Sequence, residues 1–139
     1  MTVLAHHNAR KVDQYLDQHH AEFTQLGKQL FDAFDYDKKK DRISSQIRNL
    51  QQVACSAARF ADIEDFVKNQ MGKTGNREWK QIGESVLQQL SQLRTDSATL
   101  AEDVEEQMTV RLKLARGWVR AVVSEYLYQV ARSQMGDPS

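Results

Sequence analysis

Leu114-Ala115-Arg116-Gly117-Trp118-Val119-Arg120-Ala121-Val122-Val123-Ser124-Glu125-Tyr126 reads as the middle of a long amphipathic helix, and its pattern decides the fold class. At about 100° per residue, Leu100, Val104, Met108, Leu112, Ala115, Val119, Val122, Tyr126 and Val130 fall in one broad apolar sector. Lys113, Arg116 and Arg120 lie within about 60° of one another on the opposite face. Glu102 and Glu105 continue that outer face toward the N-terminus. Thr99-Leu100-Ala101-Glu102 fits a capping box, in which hydroxyl and carboxylate reciprocally satisfy backbone donors. The spacing therefore predicts a helix from that box to near Gln134. It has about 35 residues and a length of about 50 Å, more than a domain of this size needs. The excess predicts a projecting end or a partner.

Working back along the chain, Trp79, Ile82, Val86, Leu90 and Leu93 draw the stripe of another helix. Before it, Gly72-Lys73-Thr74-Gly75-Asn76 supplies a glycine stop, a loop and a new capping residue. Asp62 is placed to cap a short helix with Ile63, Phe66, Val67 and Met71 on its inner side. Ile47, Leu50, Ala54, Ala57 and Ala58 mark a helix capped by Ser44 or Ser45, with small residues suited to close helix approach. From about Asn8 to Phe34, apolar and aromatic residues (Val12, Tyr15, Leu16, His19, Phe23, Leu26, Leu30) step by three or four. Asp35-Tyr36-Asp37-Lys38-Lys39-Lys40-Asp41-Arg42 is charged everywhere except Tyr36 and reads as a solvated loop. The expected fold is all-α: a compact bundle of about five helices in one domain over residues 1–139, ending in a long C-terminal helix.

Composition agrees with that class. The chain's 139 residues suit one domain. Its one proline, Pro138, sits in the tail, so almost every residue is free to be helical. The 19 basic and 19 acidic side chains cancel, which excludes a strongly basic or strongly acidic protein and leaves a local patch open. Cys55 stands alone, which excludes an intramolecular disulfide and a zinc–cysteine cluster. No apolar run approaches the roughly 18 residues of a membrane span. Met1 to His7 is too poor in apolar residues for a signal peptide. The expectation is a cytoplasmic protein with no membrane role.

Catalytic signatures are weak. His6, His7, His19 and His20 are the only histidines, and His6 and His20 stand about 21 Å apart along a helix, too far to share a metal ion. A di-iron bundle needs Glu-x-x-His motifs, and no histidine follows position 20. Gly72-Lys73-Thr74 matches the end of a phosphate-binding loop, but Val67 occupies the place of its first glycine. Cys55 has no obvious cation to activate it and reads as a buried structural thiol. Glu102, Asp103, Glu105 and Glu106 sit in the first turns of a helix, where negative charge favours the macrodipole. The expectation is therefore no enzyme, no metal and no cofactor. What survives is the stripe of Lys113, Arg116 and Arg120, a docking face for a phosphate backbone or an acidic surface. Lys38, Lys39, Lys40, Arg42, Arg48, Lys73, Arg77 and Lys80 are the cations that would widen it.

The order of several short motifs resembles a known family. Ile43-Ser44-Ser45-Gln46-Ile47-Arg48-Asn49-Leu50, then Ala57-Ala58-Arg59-Phe60, Phe66-Val67-Lys68 and Arg77-Glu78-Trp79-Lys80, is similar to the small helical subunit of type III CRISPR-Cas effector complexes. Val12-Asp13-Gln14-Tyr15-Leu16 is similar to that family's opening helix, and the stretch from Leu114 to Tyr126 to its last one. The likeness spans about residues 8 to 134, and departs from the family where Asn49-Leu50-Gln51 lacks its glycine. It implies a non-catalytic subunit that stacks with copies of itself along a ribonucleoprotein filament. Its partners would be the CRISPR backbone subunits and the guide RNA–target RNA duplex, read through phosphates and A-form shape. Matched by position, Arg48 corresponds to the family's Ile-Arg arginine, and Arg116 and Arg120 to basic positions of its last helix. The alternative is a helical adaptor that binds a protein partner through its long C-terminal helix and has no RNA role.

Overall fold

The computed structural model describes residues 2–34, 36–73 and 77–135, with side chains over 9–33, 45–73 and 77–133. Six helices follow in order: α1 (Thr2–Gln18), α2 (His20–Phe34), α3 (Tyr36–Ser56), α4 (Phe60–Gly72), α5 (Arg77–Leu100) and α6 (Val104–Met135). There is no strand among the described residues. The all-α class with a long final helix holds, and the described residues form six helices rather than about five.

The extra helix comes from a kink. The expected first helix divides at His19, yet His19 N–H still donates to the Tyr15 carbonyl and Phe23 N–H to the His19 carbonyl. The His19 ring lies 4.2 Å from the Tyr15 ring centroid, and its Nδ1 is 3.2 Å from Glu22 Oε2. The bend brings Tyr15 on α1 to α5, where its hydroxyl donates to Asp96 Oδ2 at 2.6 Å. Burial first, and the Asp96 carboxylate second, push the Tyr15 phenol well above its ordinary value of about 10. A raised folded pKa means that this stabilisation is complete below pH 10 and is lost as pH climbs beyond it. The expected result is an unfolding free energy, read from urea melts, that declines above pH 10 by up to about 1.4 kcal/mol per pH unit more than in Tyr15→Phe. Parallel alkaline profiles for the two proteins would remove Tyr15 from that account.

The expected loop at 35–42 is corrected. Backbone from Tyr36 onward is helical, Asp35 lies outside the described residues, and so do the side chains of Lys38, Lys39, Lys40, Arg42 and Ser44. Lysine and arginine are good helix formers, and the segment holds no glycine or proline, so its charge does not break the helix. Ser45 is consequently inside α3 rather than at its start. Asp62 is also not a cap. Arg59 occupies that position in an extended conformation without a side-chain cap, and Asp62, in the first turn of α4, accepts from Arg59 at 3.0 Å. The expected start of the last helix moves as well. Thr99 ends within α5, and Asp103 Oδ2 accepts from the Glu106 backbone N–H at 3.3 Å to cap α6.

α6 packs against all five other helices. That placement is why one apolar sector does not describe it. Val110, Leu114, Ala115, Trp118, Val119, Val122, Val123 and Tyr126 are buried, whereas Val104 and Met108 are exposed. Near its start α6 is tied to α5, where Arg111 Nε donates to Ser97 Oγ; near its end it meets α2, with Phe31 edge-on to Tyr126. Successive neighbours on different sides rotate the buried face along the helix. Gly27 on α2 lets the two backbones meet, since a Cβ there would lie 2.6 Å from the Val122 carbonyl oxygen.

Two buried tryptophans find amide partners. Trp79 Nε1 donates to Gln46 Oε1 on α3, and Trp118 Nε1 to Gln89 Oε1 on α5 at 2.9 Å. Gln89 Nε2 in turn donates to the Glu22 carbonyl at 3.1 Å, so one side chain links α2, α5 and α6. Gln89→Leu orphans the Trp118 N–H and should cost about 1–3 kcal/mol in urea unfolding. The exposed neighbour exchanged as Gln88→Leu should change stability by less than about 0.5 kcal/mol.

Candidate nucleic-acid interface

Of the eleven cations singled out from the sequence, the seven with described side chains are all exposed: Arg48 on α3, Lys73 just after α4, Arg77 and Lys80 in the first turns of α5, and Lys113, Arg116 and Arg120 on α6. Helix geometry explains the orientation of each. Arg48 stands between buried Ile47 and Leu50, so it leaves on the wet side of α3. On α6, buried Leu114, Trp118 and Val119 fill the inner side, and the three cations alternate with them on the outer one. Among the described residues, none of the three forms an ion pair within 4.0 Å. Neither burial nor an internal carboxylate accounts for them, and the middle of a helix lacks the dipole that favours cations at a C-terminus.

The structure collects these residues into two groups and a single. Lys113, Arg116 and Arg120 share one strip of α6, bordered by α1 where Leu16 closes on Gly117. Lys73, Arg77 and Lys80 gather around the α4–α5 turn, of which residues 74–76 (Thr74, Gly75 and Asn76) lie outside the described residues. Because α5 runs antiparallel to α6, with Ser97 beside Arg111 and Gln89 beside Trp118, that turn lies toward the C-terminal end of α6. Arg77 and Lys80 sit at a helix N-terminus, where the dipole opposes cations, so local stability does not explain them either.

Other cations are structural. Arg94 pairs with Glu64 of α4 and places its guanidinium carbon 5.1 Å from the Phe60 ring centroid. Arg111 turns inward to buried Ser97, whose own hydroxyl donates to the Arg94 carbonyl at 2.8 Å. Burial, then the Arg94 charge, lower the Arg111 pKa, and Glu64 opposes that shift. Arg111 differs from Arg116 in its place on the wheel: it falls inside the apolar sector, between Leu100 and Val104, and that position turns it inward.

The remaining chemistry is sparse. Cys55 is exposed, which corrects the buried thiol expected for it: Ala54 takes the inner position of α3, and the next residue points about 100° away. Among the described residues no three His, Cys, Asp or Glu side chains gather to hold a metal ion. The Gly72-Lys73 stretch ends a helix, with Val67 buried inside it. Between α2 and α5 lies an open cleft of about 350 Å³ rimmed by glutamines and Glu22, which offers neutral amides and no acid–base pair. No helix among the described residues is long and apolar enough to cross a membrane.

Two features escape sequence reading. Leu127 and Tyr128 remain 50% and 55% exposed, and with Ser124 and Ala131 they prolong the outer strip beyond Arg120. The spacing from Arg120 through Ser124 to Leu127 and Ala131 carries that signal, hidden when apolar residues are assigned inward. No family model, curated protein or solved structure matches the chain.

Proposed function

We propose that this chain is a non-catalytic small subunit of a type III CRISPR-Cas ribonucleoprotein in the cytoplasm, stacking with copies of itself and the backbone subunits and facing the guide RNA–target RNA duplex. The observation that carries the reading is the exposed strip of Lys113, Arg116 and Arg120, which no charge among the described residues neutralises. A duplex in A form is met through phosphates and shape, and evenly stepped cations on a rigid helix suit that contact without reading bases. Arg48 and the Lys73, Arg77 and Lys80 group add cations on separate elements, suited to a surface that also meets protein subunits. The test is a salt titration of the full chain with an RNA duplex, alongside copurification with backbone subunits. Three phosphate contacts should give a log–log salt slope of roughly −3. A zero slope with no nucleic acid or backbone subunit retained would reject it.

The exposed pair Leu127 and Tyr128 favours a second reading, an adaptor that binds a protein through α6 with no RNA role. Nuclease treatment separates the two: an adaptor keeps its partner after all nucleic acid is digested.

A further inference from the structure

We propose that Tyr128, with Leu127 beside it, is a stacking platform for unpaired nucleotides that run on from an RNA duplex held by Lys113, Arg116 and Arg120. This inference rests on the RNA-facing reading. Tyr128 is 55% exposed and, among the described residues, makes no hydrogen bond, ion pair or ring contact. It is left bare on a helix that buries Trp118 and Tyr126 completely. Ser124 and Ala131, small and exposed, flank it and leave room for a flat ring. Cations stand on both sides along the helix, with Arg120 about 12 Å before it and exposed Arg132 about 6 Å after it. At about 3.4 Å per stacked nucleotide, 12 Å corresponds to three or four nucleotides beyond the last duplex phosphate held by Arg120. An aromatic face between cations is the arrangement by which proteins hold single strands without sequence preference.

The test measures anisotropy of a labelled RNA duplex with blunt ends and of the same duplex carrying an unpaired tail of about four nucleotides. The full chain should bind the tailed RNA roughly 5- to 100-fold more tightly. Tyr128→Leu should abolish that gain and leave blunt-duplex affinity unchanged, and Tyr128→Phe should keep it. Equal affinity of the unaltered chain for the two RNAs overturns the platform, as does a tail effect that survives in Tyr128→Leu, and leaves the exposed pair to a protein partner. Failure of the chain to bind either RNA is a different result: it rejects the RNA-facing reading itself, and the platform with it.

Discussion

Gly27→Ala should lower the thermal midpoint by roughly 6–10 °C, the net of two opposed effects. In a helix interior alanine is favoured over glycine by about 1 kcal/mol. Against that, the added Cβ would lie 2.6 Å from the Val122 carbonyl oxygen and 2.7 Å from Glu125 Cβ. A carbonyl in the middle of α6 has no rotamer to escape into, so α2 must move away and loosen the packing of Leu26 and Leu30. Overpacking of this kind costs about 1–3 kcal/mol, occasionally more, and the loosened leucines raise that cost enough to leave a net destabilisation near 2 kcal/mol. Gly72→Ala is the control. Nothing lies within 4 Å of a Cβ at that position, so stability there should hold or rise by up to about 1 kcal/mol. A Gly27→Ala protein as stable as the original would refute the close α2–α6 crossing.

The joint change Lys113→Glu, Arg116→Glu and Arg120→Glu should weaken RNA binding by the assembled complex on the order of 100-fold at low salt. It should also flatten the log–log salt slope by roughly three. Stability should fall by no more than about 1.5 kcal/mol in all, because none of the three side chains is buried or, among the described residues, paired, and exposed substitutions change stability by about 0.5 kcal/mol or less each. Affinity and stability therefore separate cleanly. Unchanged affinity with an unchanged slope would dismiss the strip as a merely hydrated face.

How far the sequence is legible depends on how many sides of each helix are covered. The stripe of α5 is read correctly because it buries one side, with Trp79, Ile82, Val86, Leu90 and Leu93 all buried, although the helix runs on to Leu100. α6 is read less well because its neighbours change along its length, so Val104 and Met108, which fit the period, end up outside. Charge misleads at 36–42, where lysines sit in a helix. Local capping rules err by a turn at Asp62 and Thr99, since the finished backbone starts α4 after Arg59 and α6 after Asp103. The outward direction of Lys113, Arg116 and Arg120 is legible from the wheel alone. The glutamine partners of Trp79 and Trp118 are not, because they lie 33 and 29 residues away in the chain.

The position of α6 also has a consequence for biosynthesis. The strut on which the other five described helices rest leaves the ribosome after all of them. Until then, the greasy sides of Leu26, Leu30, Ile63, Val86 and Leu90 lack their common wall, and the nascent chain must wait, collapsed or chaperoned, for Val104–Met135. A stop codon before Trp118 would therefore yield a sticky fragment destined for proteolysis instead of a smaller folded protein.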